Sequence, residues 1–338
     1  MIRLLIATSD RQAGGIRRAL SDQLALLSSS AFKTSFEITI LSPDADFLAQ
    51  ANSQQHATLS LSSTRRFLFR YLPAFATSDL PKQHFDIALC HNGFMAKGLT
   101  TLAKKVIGIC HNDKPSQFWH CDELVCLTED GRQKALQEGW QDKQLHVISH
   151  YHNYHIKKAP ELTSGPLTIG AAGRFVPKKN MALFIETAAL VRDTHPDIEF
   201  LLAGSGPEKD SLLSLNDKLG HPVRYLGWTD FEVFLSQLDI MMVPSTDEPF
   251  GYVYPEAMSH GIAILSTPTF GGRHCLKQGQ IAPLFPADEP LSFAAEIRRL
   301  DDDRAHLRDI QNACLAHVKG AEFSQQAAAQ KWATLLQL

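Results

Sequence analysis

No stretch of the 338-residue chain approaches the roughly 18 consecutive apolar residues of a membrane-spanning helix. The first residues, Met1-Ile2-Arg3-Leu4-Leu5-Ile6-Ala7-Thr8, are too few for a signal-peptide core and cleavage site and read as a strand. Charge of one sign is also missing. Lys and Arg number 33 and Asp and Glu 36, a net of −3, so a general affinity for nucleic acid is not implied. The six cysteines form no Cys-x-x-Cys pair. Cys121 and Cys126 beside His120 lack the spacing of a zinc knuckle, and a reduced, cytoplasmic protein accounts best for the set. The spacing Gly-x-Gly-x-x-Gly of dinucleotide binders is absent as well.

What is present is an ordinary globular composition, 44% hydrophobic and 20% charged, at a length that suggests two domains. Short apolar runs alternate with helical patterns, which predicts parallel α/β architecture. In the first half, strands are expected at Arg3–Thr8, Glu37–Leu41, Ile87–Cys90, Val106–Cys110, Glu123–Leu127 and Leu145–Ser149. Helices are expected at Ile16–Leu27, Lys97–Lys104 and Asp130–Glu138. Tyr151 to Pro166, with Pro160, Ser164 and Gly165, reads as a linker. A second series follows, with strands at Leu167–Ala172, Glu199–Ala203, Val223–Leu226, Ile240–Val243 and Ala263–Ser266. Its helices fall at Asn180–Thr194, Pro207–Leu219, Phe231–Leu238 and Tyr254–His260. Ala328, Trp332, Leu335 and Leu336 are spaced as in a terminal helix. The expected division is therefore 1–160, 161–322 and a helix over 323–338 that returns to the first domain.

Several strand ends carry residues suited to anionic or hydroxylated ligands. Gly173-Arg174-Phe175-Val176-Pro177-Lys178-Lys179-Asn180 joins a strand to a helix. Arg174 can fork onto phosphate oxygens and Lys179 adds a charge near the helix N-terminus. A solvated basic loop with Asn180 as cap would use the same residues. Ala203-Gly204-Ser205-Gly206-Pro207 ends the next strand, where bare backbone lets a ligand approach. Val223-Arg224-Tyr225-Leu226-Gly227 ends similarly. Then comes Pro244-Ser245-Thr246-Asp247-Glu248-Pro249-Phe250-Gly251-Tyr252-Val253-Tyr254-Pro255-Glu256-Ala257-Met258. Pro255 belongs in a helix's first turn, so Glu248 lies in the loop and Glu256 at the helix start. Each alone has a bland alternative: a surface acid, or a carboxylate complementing the helix dipole.

In their order and spacing, these motifs resemble the nucleotide-sugar domain of retaining glycosyltransferases of family 4, over most of Leu167 to Pro268. The resemblance implies the GT-B fold, two Rossmann-like domains facing across a cleft. It implies sugar transfer from a nucleoside diphosphate sugar to an acceptor hydroxyl with retention. The leaving phosphate would assist attack, with no metal and no other cofactor. Arg174 and Lys179 would hold the diphosphate, Glu248 the donor sugar and Glu256 the ribose. Gly173, Gly204, Gly206, Tyr225, Phe250, Gly251 and Tyr252 would complete the donor site. In the first half, Asp10 to Arg18 is similar to the family's Gly-Gly loop, with Gly14 and Gly15 near the leaving phosphate. His111 resembles the histidine that faces the donor sugar, and His91 is a rival or an acceptor contact. UDP, GDP and ADP donors stay open, and the acceptor expected by analogy is a bacterial envelope glycan or glycolipid.

The chain departs from the family where Ser149-His150-Tyr151-His152-Asn153 replaces an Asn-Gly-x-Asp run, and where Gly271-Gly272 leads to Arg273-His274 instead of Pro-Glu. These departures bear on donor identity and hinge behaviour. Alternative functions are a GT-B nucleotide-sugar epimerase, a phosphorylase (disfavoured by length) and a non-catalytic sugar-nucleotide-binding subunit. Finally, Thr64-Arg65-Arg66-Phe67-Leu68-Phe69-Arg70-Tyr71-Leu72 mixes cations with rings. Arg65, Arg66 and Arg70 suit an anionic acceptor or the cytoplasmic face of the inner membrane. The competing arrangement buries Phe67, Leu68 and Tyr71 and leaves the arginines outside.

Overall fold

The computed structural model describes residues 1–11, 14–29, 32, 35–78, 84–151, 154–157 and 165–337. The chain forms two compact units: Met1–His152 with Ser324–Leu338, and Asn153–Phe323. The expected boundary at 160/161 and most of the expected linker lie outside the described residues.

The first unit holds a seven-stranded parallel sheet, in the order β3-β2-β1-β4-β5-β6-β7. Its strands are β1 (Ile2–Ala7), β2 (Phe36–Ser42), β3 (Ala57–Ser60), β4 (Phe85–Cys90), β5 (Ala103–Cys110), β6 (Glu123–Cys126) and β7 (Leu145–Val147). The central strands are apolar because helices cover both faces of such a sheet. Leu4, Leu5, Ile6 and Ala7 are wholly buried, as are Ala88, Leu89 and Cys90. β3 was not expected. Its Ala-Thr-Leu-Ser lies at the sheet edge with only its middle half-buried, so it carries no apolar run. The expected helix over Lys97–Lys104 is shortened to Ala96–Leu99, and β5 begins at Ala103. Lys104 and Lys105 look helical in sequence, but they reach across strands to Asp86 and Glu123, at 2.8 and 2.7 Å.

The second unit holds a five-stranded parallel sheet, β10-β9-β8-β11-β12. Its strands are β8 (Thr168–Arg174), β9 (Glu199–Ser205), β10 (Arg224–Gly227), β11 (Ile240–Val243) and β12 (Ala263–Ser266). Both sheets reverse their strand order beside the first strand, between β1 and β4 and between β8 and β11. Open α/β sheets bind ligands at the carboxyl ends of the strands flanking such a reversal. The helix Gln325–Leu336 belongs to the first unit and buries Ala328, Trp332, Leu335 and Leu336. Ser324 caps it by accepting from the Ala327 N–H at 3.1 Å.

The arginine-rich segment forms the helix Ser63–Tyr71. Phe69 is its buried residue, fitted against Gly98, where any Cβ would stand 2.6 Å from the ring. Phe67 and Tyr71 instead lie outside, 56% and 61% exposed, with ring centroids 4.7 Å apart. Leu72 and Phe75 extend the exposed strip. The arrangement with Phe67 and Tyr71 in the core is therefore overturned: the buried face runs through Leu68 and Phe69.

Candidate functional site

At the reversal in the second unit, two loops are laced together. The Thr246 N–H donates to the Lys178 carbonyl at 2.8 Å, and Lys178 Nζ stands 3.5 Å from Asp247. Lys179 Nζ donates to Glu248 Oε2 in a close ion pair, both side chains mostly buried. The expected phosphate cation and the expected sugar carboxylate are thus neighbours. The Gly271 N–H donates to the Glu248 carbonyl at 2.7 Å. A Cβ at Gly271 would stand 2.1 Å from the Phe250 carbonyl oxygen, so only glycine allows this approach. Phe250 is 2% exposed, with its ring against Phe323, His274 and Tyr252. Gly251 turns the chain at φ 76°, and Glu256 lies half-buried in the first turn of the helix Val253–Ser259.

A cavity of about 380 Å³ opens at the ends of β8, β9 and β10. Gly173, exposed Arg174, Gly204, Ser205, Trp228 and Thr229 are among the residues lining it. Gly204 is required by packing: a Cβ there would fall 1.9 Å from the Gly173 carbonyl oxygen. Gly206 approaches the Phe175 backbone in the same way. Tyr225 does not line the cavity. Its hydroxyl donates to the Gly204 carbonyl at 2.9 Å, which holds the glycine turn in place. Sequence reasoning missed Trp228, 85% exposed at the cavity rim. A large aromatic directly after the Gly227 strand end was its available signal. Asn180 does not cap the following helix. It sits at φ 49° and its amide donates to the Ala287 carbonyl at 2.9 Å.

At the reversal in the first unit, Gly14 precedes the helix Gly15–Leu27, whose N-terminus has no side-chain cap and no acidic residue. A side chain at Gly14 would meet open space. Gln12 and Ala13 of the expected loop lie outside the described residues. Arg17 is engaged locally, 3.0 Å from Asp44 and over the Phe47 ring. Asp44 also caps the helix Ala45–Ser53, its Oδ1 accepting from the Phe47 N–H at 3.0 Å. Asn92 Oδ1 accepts from the Ser9 N–H at 2.6 Å, and its Nδ2 donates to Asp10 at 3.2 Å.

His111 follows β5. Its Nε2 lies 2.9 Å from His91 Nδ1, and His91 Nε2 lies 2.9 Å from Gln23 Oε1. The His150 ring is near-parallel to that of His111, centroids 5.3 Å apart. Burial pushes the His111 pKa down to about 4, and burial with neighbouring histidines pushes His91 and His150 well below the usual range. All three rings are neutral at pH 7. His91 is 3% exposed with both nitrogens engaged, so it stands behind His111 and not at a ligand-facing surface. Gln23 escaped notice in the sequence, and His150 stood out only as part of the run that departs from the family pattern. The signal for Gln23 is a polar residue on the buried face formed by Leu20, Leu24 and Leu27. Arg65, Arg66 and Arg70 lie on the helix Ser63–Tyr71, apart from these groups in sequence, with Arg70 over the Phe94 ring at 4.9 Å. Among the described residues, no group of three or more His, Cys, Asp or Glu is placed to hold a metal ion, and no helix is long and apolar enough to cross a membrane.

Residues 166–303 match the family described as Glycosyl transferases group 1. The chain is 30% identical over 220 residues to the lipopolysaccharide core biosynthesis glycosyltransferase LpsD of Rhizobium meliloti, covering 62% of each protein. It is 31% identical over 135 residues to the phosphatidyl-myo-inositol mannosyltransferase of Mycobacterium tuberculosis, covering 38% of this chain and 35% of that protein. The chain thus matches less than two thirds of the length of these relatives. The fold is that of Anabaena HepE, solved with UDP, at TM-score 0.81, 17% identity and full coverage of both chains. The two parallel-sheet units have the GT-B fold, and it is residues 166–303, within the second unit, that are similar to the glycosyl transferases group 1 family.

Proposed function

We propose that the protein is a glycosyltransferase that moves a sugar from a nucleoside diphosphate sugar to an acceptor hydroxyl, with retention and without a metal. The observation that carries this reading is the Lys179–Glu248 pair beside the Arg174 cavity, within the matched region. Arg174 and Lys179 stabilise charge growing on the leaving diphosphate, as preorganised cations do. Glu248 accepts hydrogen bonds from the transferred sugar, Glu256 takes the ribose hydroxyls, and the Phe250 and Gly251 N–H groups meet sugar or phosphate. Trp228 gives the cavity an aromatic face on which a base can stack. HepE was solved with UDP, which makes a uridine donor the first to test.

The experiment is a thermal-shift screen of UDP, GDP and ADP, then their sugar conjugates, since ligands of the native state raise its stability. Release of the nucleotide is then measured with and without envelope glycan or glycolipid acceptors, and the product's anomeric configuration is read by NMR. Transfer should require an acceptor, retain configuration and survive EDTA. Interconversion of donor sugars without acceptor would instead establish an epimerase. Binding with no turnover of any donor would establish a binding subunit.

The first unit's exposed helix supports peripheral contact with an anionic membrane at the cytoplasmic face, in line with relatives named for lipopolysaccharide core biosynthesis and as a phosphatidyl-myo-inositol mannosyltransferase. Phe67, Tyr71, Leu72 and Phe75 are exposed together next to Arg66 and Arg70. Rings entering the acyl boundary gain about 1.5–3 kcal/mol each when fully buried, and cations add roughly 1 kcal/mol each near anionic lipid. Replacing Arg65, Arg66 and Arg70 with Ser should lower co-sedimentation with phosphatidylglycerol liposomes at least ten-fold. Unchanged sedimentation would remove the membrane contact from the reading.

A further inference from the structure

The histidines of the first unit form a directed chain, and its direction follows from its buried end. Gln23 is 5% exposed, on the helix Gly15–Leu27, and its Oε1 lies 2.9 Å from His91 Nε2. A carbonyl oxygen only accepts, so His91 Nε2 carries the proton. A neutral imidazole has one N–H and one lone pair, so His91 Nδ1 accepts. Its partner at 2.9 Å, His111 Nε2, must then donate. That leaves His111 Nδ1 with a bare lone pair, and among the described residues nothing is bonded to it.

We propose that Gln23 and His91 are positioning residues that fix His111 as its Nε2–H tautomer, so that His111 presents Nδ1 as an acceptor for a sugar hydroxyl. The hydroxyl's role rests on the reading of His111 as a residue that meets the sugar substrate. The tautomer does not rest on it. A hydrogen bond from a neighbour commonly decides which ring nitrogen of a histidine faces its ligand. Here the decision is relayed through a second imidazole, and burial keeps both rings neutral so that the relay holds one proton per link. His150, near-parallel to His111, limits tilting of the ring. An inverted Gln23 amide would reverse every link and put the proton on His111 Nδ1, turning an acceptor into a donor.

The test is long-range proton–nitrogen NMR of histidine-labelled full-length protein at pH 7.5, with the His111 signals assigned by their loss in His111→Gln. His111 Nε2 should show the protonated-type shift and Nδ1 the bare-type shift. Gln23→Leu removes the anchoring acceptor and should mix the two forms. Gln23→Glu, still an acceptor, should restore the single tautomer, and retained thermal unfolding shows that both variants fold. With a working donor, Gln23→Leu should lower kcat about three- to ten-fold while leaving bare-nucleotide affinity unchanged, and Gln23→Glu should recover it. An Nδ1–H tautomer in the native protein, or one unmoved by Gln23→Leu, overturns the proposal. If the tautomers behave as stated and no donor supports transfer, the relay stands and the transferase reading fails.

Discussion

The two units have the same kind of sheet and the same kind of strand reversal, yet they equip that place with different chemistry. The second unit uses formal charge and bare backbone: Arg174, the Lys179–Glu248 pair, and glycines whose Cβ positions are already filled by main chain. The first uses uncharged imidazoles joined by hydrogen bonds to a buried amide, with Asn92 holding Asp10 beside them. Charge suits a ligand that carries charge. A neutral chain of donors and acceptors suits hydroxyls, whose recognition depends on which atom bears a proton. The contrast teaches that a shared topology fixes which strand ends meet at the reversal, while the side chains placed there set the chemistry of that place.

The comparison breaks most easily at the cations. Arg174→Ala and Lys179→Ala should each lower kcat by about a hundred- to a thousand-fold, the range for losing one preorganised group that stabilises developing charge. Steady-state release of nucleotide measures this. A drop confined to KM would show that the cations bind the ground state and transition state alike. The carboxylates sharpen the contrast within the second unit. Glu256→Ala should weaken bare nucleotide by about ten-fold, the loss of a charged hydrogen bond, whereas Glu248→Ala should spare nucleotide and abolish transfer. Isothermal titration beside turnover separates them, and equal loss of nucleotide binding in both would remove the division of roles.

The smallest effect concerns acid. Unfolded histidines titrate near 6.5, whereas burial holds His111 near 4. Between those values the unfolded chain binds more protons, so stability falls as pH drops from about 6.5 to about 4. Urea unfolding at stepped pH should show this slope, and His150→Phe should flatten it. A slope unchanged by that substitution would mean that other groups set the acid limit.

Much of this was legible in the sequence, for identifiable reasons. β11 and β12 were expected at their observed ends because Ile240–Val243 and Ala263–Ser266 are short apolar runs bounded by turn residues. The helix around Pro255 was placed by proline's lack of an N–H. Lys97–Lys104 was misjudged because cross-strand ion pairs leave no local trace. β3 was missed because an edge strand needs little apolar surface.

The sequence by itself determined the alternation of strands and helices, the glycines and charges at strand ends, and the resemblance of residues 167–268 to nucleotide-sugar domains. Such features depend on near neighbours in the chain, through backbone restriction and apolar periodicity. Only the tertiary structure decided that Phe69, and not Phe67 or Tyr71, enters the core, that Tyr225 supports a turn while Trp228 borders the cavity, and that Gln23, His91, His111 and His150 belong together. His91 is 68 residues from Gln23 and 20 from His111. No local pattern spans such separations, and only close packing around the parallel strands brings these groups within hydrogen-bonding distance.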